Sequence, residues 1–244
     1  MSIVLPALPD IIDGAWVRCE LDARGYAVLP STAIAQPPLA GVDATALRTG
    51  PVDNRPTRLI YPAGPSKTRY PANELVVPLA RWCEQLYRGL APIANEWSAR
   101  LGSTRRFPSV IDMASGLSSA QTPSSYGSCL EHLRVGDNLA LQTRAAEQEA
   151  FPLRVILLLS DPRTDFSGGE LVITEQRPRM QSRAMVVPVR YGEAAIVVST
   201  SRPIEGRMGC YSAIVRHGVS KVRRGERWSL SITFDSAIAD ALQA

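Results

Sequence analysis

Histidine is scarce in this sequence, with only His132 and His217 among 244 residues. The four cysteines lie far apart without a C-x-x-C pair, so neither a zinc cluster nor a disulfide framework is indicated. No run approaches the roughly 18 consecutive apolar residues of a membrane span, and the N-terminus lacks the pattern of a signal peptide. A net charge of +4 is too small to indicate nucleic acid or an anionic membrane as a partner. We therefore expect a cytoplasmic protein without membrane or nucleic-acid partners.

Helical patterns dominate the first hundred residues. Apolar residues at near-helical spacing from Ile11 to Leu21, followed by the apolar run Tyr26–Leu29, predict a helix and then a strand. Between Glu74 and Leu101, apolar residues recur every three or four positions, which predicts a helix that Pro92 kinks or divides. Residues 31–73 lack sustained periodicity, and we interpret them as a long covering segment.

Short β-rich runs replace the helices after about residue 125. No helical pattern between them is long enough for a parallel crossover, which favours an antiparallel sandwich or barrel. Phe151–Leu159 is apolar without alternation, so we expect a central strand buried on both faces. In the last run, Arg227, Ser229 and Ser231 share a polar face that contacts either solvent or a polar barrel interior. The predicted strands are 153–160, 169–174, 185–189, 194–200, 211–216 and 227–234.

Three segments change this interpretation. They are Phe151-Pro-Leu with Leu158-Leu-Ser-Asp-Pro162, then Asp165-Phe-Ser-Gly-Gly-Glu-Leu171, and then Arg216-His-Gly-Val-Ser-Lys-Val222 with Gly225-Glu-Arg227. In this order and spacing they resemble the 2-oxoglutarate/Fe(II)-dependent oxygenases related to prolyl hydroxylases, and the run 175–183 is similar to a narrower bacterial subgroup. The resemblance implies a mainly β, α+β protein: a double-stranded β-helix, or cupin-like jelly roll, with N-terminal supporting helices. We expect one domain, 1–244, with helical and loop support in 1–120 and the jelly-roll core in 121–244.

The resemblance also assigns site residues. Family members hold iron with a His-x-Asp motif and a distal His, and an Arg about ten residues further on binds the far carboxylate of 2-oxoglutarate. His217 matches the distal His, and Arg227 matches that Arg, with Ser229 on the same strand face. Gly136-Asp137 and Phe151-Pro-Leu153 frame the missing motif without a gap, so that Gln142 and Arg144 replace its His and Asp. His132, which is followed by Leu133-Arg134, is expected to be structural or at the surface.

These replacements argue against iron. Fe(II) requires lone-pair donors and a carboxylate, whereas Gln142 offers an amide oxygen and Arg144 offers only donors. A guanidinium ~4 Å from a dication repels it by roughly 8 kcal/mol at an effective dielectric constant near 20. We therefore expect neither metal nor cofactor, and a cationic pocket that binds a small anionic metabolite through Arg227, Ser229 and Arg144. The alternative is a local ion pair of Arg144 with Glu147 or Asp137.

Three functions remain open at this stage. The first is a metal-independent biosynthetic enzyme for a cyclisation, isomerisation or elimination, with His217, Arg144 and Gln142 as catalytic residues. The second is a genuine dioxygenase (hydroxylase) with atypical ligands that uses Fe(II) and 2-oxoglutarate. The third is a non-catalytic pseudoenzyme that binds a ligand. We interpret Arg177, Arg179 and Arg183 as a solvated loop with ion pairs to Glu175, rather than as a rim that contacts substrate. The oligomeric state is not predicted.

Overall fold

The computed structural model describes residues 12–30, 57–60, 72–111, 129–145 and 150–234. Two helices precede most of the strands, and none of the helices within these ranges is long and apolar enough to cross a membrane. The elements are α1 (Gly14–Arg24), β1 (Tyr26–Leu29), β2 (Thr57–Ile60), α2 (Ala72–Arg100), β3 (Cys129–Leu133), β4 (Leu139–Gln142), β5 (Leu153–Leu158), β6 (Phe166–Gly168), β7 (Leu171–Gln176), β8 (Arg183–Val187), β9 (Ala194–Val198), β10 (Ser201–Gly206), β11 (Gly209–Val219), β12 (Val222–Gly225) and β13 (Arg227–Ile232).

The two helices have clear local causes. Helix α1 begins where the Asp13 carboxylate accepts hydrogen bonds from two backbone N–H groups of the first turn, and it ends at Gly25, whose φ of 78° few other residues adopt. Helix α2 closely matches the predicted helix, and it continues through Pro92, so of the two predicted effects of this proline a division of the helix is excluded. From Trp82 to Trp97 its apolar stripe is buried, and the Tyr87 ring lies 5.4 Å from that of Phe151. The helices and both large sheets therefore share one hydrophobic core.

The strands form two large antiparallel sheets and a small one. The six-stranded sheet has the order β1-β9-β5-β13-β3-β2, and the five-stranded sheet has the order β10-β11-β7-β8 with β4 also paired to β11. Strands β12 and β6 form a separate pair. The predicted jelly-roll class is confirmed. The prediction that β5 is a central strand buried on both faces is also confirmed, because all six of its residues are buried.

The polar face of β13 faces the interior. Arg227, Ser229 and Ser231 are each at most 1% exposed, so the solvent alternative is excluded. The opposite face of β13 carries Trp228, Leu230 and Ile232, which belong to the shared hydrophobic core. Arg227, Ser229 and Ser231 therefore lie in a polar interior between the two large sheets.

Several strands were not predicted. Strand β2 falls within the segment interpreted as a cover, and β3, β4, β6, β10 and β12 were not among the predicted strands. Strands β1 and β2 complete the two edges of the six-stranded sheet, so the first 120 residues contribute to that sheet as well as supporting it. The rest of the predicted cover, residues 31–56 and 61–71, lies outside the described residues. The single-domain boundary stays a prediction.

Candidate functional site

The first part of the site is a cross-strand pair on the five-stranded sheet. His217 of β11 stands opposite Gln142 of β4 on one side and opposite Ile173 of β7 on the other. Residues directly opposite in an antiparallel pair share a face, with Cβ atoms about 4.5–5.5 Å apart. His217 is only 4% exposed, and Gln142 is half-buried. The fold thus places side by side two residues that the resemblance assigned to metal-ligand positions.

Arg144 lies just beyond the end of β4 and is 8% exposed. Its backbone N–H donates to the carbonyl of Ser199 over 2.7 Å, which anchors the chain at this point independently of the side chain. Glu147, one of the two carboxylates considered as its partner, lies outside the described residues. The roles predicted for Arg144 therefore stay predictions.

The donor set at these positions does not suit iron. Gln142, Arg144 and His217 supply one amide, one guanidinium and one imidazole, whereas Fe(II) sites of this class use two imidazoles and a carboxylate. Across the described ranges, no group of three or more His, Cys, Asp and Glu side chains gathers into a possible metal site.

The second part of the site is a buried arginine on the six-stranded sheet. Nη1 of Arg227 donates to Oγ of Ser229 over 2.7 Å, while Nε and Nη2 have no hydrogen-bond partner among the described residues. Burial lowers the pKa of Arg227 to about 10, and the negative charge of Glu131 counteracts part of this effect. Arg227 is 1% exposed, so its Nε and Nη2 nitrogens are available to an acceptor in the protein interior.

A glycine pair makes room for this arginine. Gly168 and Gly169 have φ values of 71° and 64°, which other residues adopt at a cost. A Cβ atom on Gly169 would stand 3.0 Å from Cδ of Arg227, and one on Gly168 would stand 2.3 Å from the carbonyl oxygen of Lys221. Within the Gly-Gly motif that carries the resemblance, Gly169 thus allows the backbone to approach the Arg227 side chain closely, and Gly168 allows it to approach the Lys221 backbone.

Glu131 of β3 is a site residue that the sequence analysis missed. It stands opposite Ser229 in the register and is 4% exposed. The Ser229 hydroxyl donates to Oε2 of Glu131 over 3.2 Å while accepting from Arg227. Ser231, two residues further along the same face, has a buried hydroxyl without a hydrogen-bond partner among the described residues. The available signal was a single acid between apolar residues in the run Leu130-Glu-His-Leu133, in a strand that was not predicted.

A buried ion cluster lies next to His217 along the barrel. Glu175 occupies the next inward-facing position on β7, and its two carboxylate oxygens accept from Nε of Arg202 and Nε of Arg177, each over 2.6 Å. Burial acts to raise the pKa of Glu175, but the hydrogen bonds and charges of the two arginines hold it below the ordinary value. Arg202 also donates to the backbone carbonyl of Asp22 in α1. The cluster therefore joins the five-stranded sheet to the supporting helix.

The remaining candidates are the three arginines of the run 177–183 and the second histidine. Arg177 makes the predicted ion pair with Glu175, whereas Arg179 and Arg183 are exposed. His132 stacks on Trp228 with ring centroids 3.8 Å apart, and its Nε2 lies 3.1 Å from a Glu226 oxygen. His132 is buried, so of the two expected settings it has the structural one.

Two facing sheets with supporting helices, one presenting His217 and the other Arg227, define a jelly-roll protein of the 2-oxoglutarate oxygenase type. The chain belongs to the Oxygenase-NA family, whose model matches residues 66–237 and which is described as an oxygenase, catalysing oxidative methylation of damaged DNA. The resemblance seen in the sequence is thereby confirmed at the level of the superfamily.

Individual proteins similar to this chain include one relative in sequence and two solved structures. The chain is 36% identical over 166 residues to an uncharacterized protein of Mycobacterium tuberculosis. The aligned region covers 66% of this chain and 70% of that protein. A 2OG-Fe(II) oxygenase family oxidoreductase from Burkholderia pseudomallei shares the fold with a TM-score of 0.52 and 17% identity, covering 89% of this chain and 87% of the other. A prolyl-4-hydroxylase from Pseudomonas putida is also similar, with a TM-score of 0.45, 15% identity and coverage of 95% and 94%.

Proposed function

We propose that this chain is an iron-free member of its family that binds a small carboxylated metabolite between the two sheets. Arg227 anchors the carboxylate, and His217 is an acid–base group at the other end of the ligand. The reaction class is a cyclisation, isomerisation or elimination. None of these changes the overall oxidation state of the substrate, so none requires the oxidant that a missing iron centre would have activated.

The observation that carries the proposal is the state of Arg227. A guanidinium that is 1% exposed and has two N–H-bearing nitrogens without partners among the described residues is costly to bury. A ligand carboxylate removes that cost, because its two oxygens accept from the planar guanidinium in a bidentate, charge-assisted contact. Because Arg227 is 1% exposed, water competes little with this contact. Arg227 thus accounts for affinity without a metal.

His217 supplies the chemistry in this proposal. An imidazole with a pKa near neutrality is a suitable proton carrier, because it takes a proton from one substrate atom and returns it to another. Gln142 stands opposite His217 in the register, and in this proposal its amide hydrogen-bonds a substrate carbonyl. Arg144 adds positive charge at the end of β4 and favours an enolate-like intermediate over its neutral precursor.

Ligand binding tests the first part of the proposal. Calorimetry and thermal shift with 2-oxoglutarate should show binding by the parent protein in metal-free buffer. The Arg227→Met variant should bind 2-oxoglutarate at least tenfold more weakly than the parent. Arg224→Met, which replaces an exposed arginine on β12, is the matched control and should bind as the parent does. Equal affinity in the Arg227→Met variant and the parent would overturn the assignment of the anchor.

Proton exchange tests the acid–base role. In deuterium oxide, the protein should accelerate loss of the C3 proton signal of bound 2-oxoglutarate in NMR spectra, because a base beside a ketone removes the neighbouring proton. His217→Gln should abolish the acceleration while leaving binding intact. Binding without any His217-dependent exchange would favour the non-catalytic pseudoenzyme instead.

The family description favours one other function, a genuine oxygenase that uses Fe(II) and 2-oxoglutarate, with damaged DNA as its substrate. That function would require the predicted absence of nucleic-acid partners to be wrong. Anaerobic Fe(II) loading followed by metal analysis separates the two proposals. Stoichiometric iron, together with oxygen-dependent conversion of 2-oxoglutarate to succinate that alkylated DNA stimulates, would establish the oxygenase and exclude the iron-free proposal.

A further inference from the structure

We infer that Ser231 is a further catalytic residue, whose hydroxyl donates to an oxo group of the ligand that Arg227 anchors. This inference rests on the proposed function, because it refines the class of ligand held between the two sheets. The carboxylate anchor stays as proposed. The ligand class narrows to a short carboxylic acid that carries an oxo group a few bonds away from the anchored carboxylate.

The Ser231 hydroxyl is a buried polar group on the inner face of β13. Ser231 is 1% exposed, and its Oγ atom has no hydrogen-bond partner among the described residues. The neighbouring hydroxyl on this face is already engaged, because Ser229 donates to Glu131 and accepts from Arg227. The residue opposite Ser231 on β5 is the apolar Ile156. A buried hydroxyl without a partner is costly, and a ligand acceptor removes that cost.

The spacing along β13 relates this hydroxyl to the anchor. Nη1 of Arg227 lies 2.7 Å from Oγ of Ser229, so the guanidinium stands beside Ser229. Ser231 is the next inward-facing residue, about 6.6 Å further along the strand at a rise of about 3.3 Å per residue. A ligand that contacts both groups therefore carries its second polar group a few bonds from the carboxylate. The oxo group of 2-oxoglutarate, which two methylene groups separate from the far carboxylate, satisfies this spacing.

An oxo group at this point is also where the proposed chemistry develops charge. When His217 removes a proton from the neighbouring carbon, the electron pair of that C–H bond moves toward the oxo oxygen. The Ser231 O–H group stabilises the negative charge that forms there. The proton then returns to carbon or oxygen, so the step requires no oxidant. Gln142, on the facing sheet, can share the same oxygen because a carbonyl has two lone pairs.

A cycle of one substitution and one ligand change measures this contact. Glutarate differs from 2-oxoglutarate only in lacking the oxo group. In calorimetry with the full chain in metal-free buffer, the parent should bind 2-oxoglutarate about fivefold or more tighter than glutarate, the effect of one neutral hydrogen bond. Ser231→Ala should remove most of this preference, because it deletes the hydroxyl and leaves the carboxylate anchor in place. Its affinity for glutarate should match that of the parent.

Proton exchange gives a second readout. At saturating 2-oxoglutarate in deuterium oxide, Ser231→Ala should slow the loss of the C3 proton signal by about tenfold or more, because it removes a donor to the developing charge. Ser212→Ala truncates an exposed serine on β11 and is the matched control. This control should leave both the affinity ratio and the exchange rate unchanged.

The outcomes separate this inference from the proposed function. Arg227-dependent binding of both ligands with the same affinity ratio in the parent and Ser231→Ala, or with an unchanged exchange rate, overturns the role of Ser231 alone. Equal affinity of the parent for the two ligands does so even if the variant fails to fold. If Arg227→Met binds both ligands as tightly as the parent, the carboxylate anchor is wrong and the proposed function fails as well.

Discussion

Replacing Gln142 and Arg144 together tests the prediction that these two residues stand at the iron-ligand positions of the superfamily. Gln142 and His217 are direct cross-strand neighbours, so Gln142→His would bring a second imidazole within about 4.5–5.5 Å of the first at the Cβ level. Arg144→Asp would supply the carboxylate at the end of β4, where the backbone N–H is already held by Ser199. We expect the double variant to bind Fe(II) or Co(II) measurably.

Each single variant should bind metal far more weakly. Gln142→His alone leaves the Arg144 guanidinium, whose repulsion of a dication is roughly 8 kcal/mol at ~4 Å and an effective dielectric constant near 20. That repulsion corresponds to a loss on the order of a millionfold in affinity. Arg144→Asp alone removes the repulsion but leaves one imidazole instead of two. The gain in the double variant should therefore exceed the sum of the two single gains in free energy.

Titration with Co(II) under anaerobic conditions is the assay, because the visible spectrum of bound Co(II) reports its coordination. The two single variants and the parent are the controls, and stability in urea shows that each is folded. The double variant still requires hydrogen bonds that orient His217, so metal binding does not imply restored oxygenase activity. Tight one-to-one binding by the parent at this position would refute the reasoning.

Three further predictions concern packing and pH. Leu86→Asp in α2 should lower the free energy of unfolding by about 3 kcal/mol or more because Leu86 is buried, whereas Gln85→Asp on the exposed side should change it by less than about 0.5 kcal/mol in urea. Gly169→Ala should weaken carboxylate binding in calorimetry, whereas Gly102→Ala, with a similar φ of 71° and nothing near its added Cβ, should cost only about 1 kcal/mol of stability. Because its pKa is lowered on folding, Glu175 stabilises the native state at neutral pH and loses this effect as pH falls below about 4.5. In urea unfolding across that range, the free energy of unfolding should therefore fall less steeply with decreasing pH in Glu175→Gln than in the parent.

Much of the architecture could be predicted from local patterns. Alternation in β13 and the unbroken apolar run of β5 follow from the two-residue period of a strand, and the long helix follows from its three-to-four residue stripe. The order of the short motifs identified the family, because each reflects a local backbone requirement, such as the left-handed glycines 168 and 169. Strands β2, β3, β4, β6, β10 and β12 were missed. Polar residues, Gly or Pro interrupt most of these short segments, as Pro203 does in β10, so they lack the apolar or β-branched runs that mark the strands that were predicted.

The sequence by itself determined that one face of β13 is polar and that Arg227 and His217 are ten residues apart, and it led to the prediction that Gln142 and Arg144 replace metal ligands. Only the tertiary structure decided that the polar face of β13 is buried, since a period of two separates the faces without saying which one contacts solvent. It also decided which charges meet, because Glu131 lies 98 positions from Ser229 and is brought to it by strand pairing alone. The same holds for Glu175 and Arg202, which form an ion pair in the interior because β7 and β10 flank β11. Local propensity carries no information about such distant pairs, and burial then multiplies their electrostatic effect by excluding water.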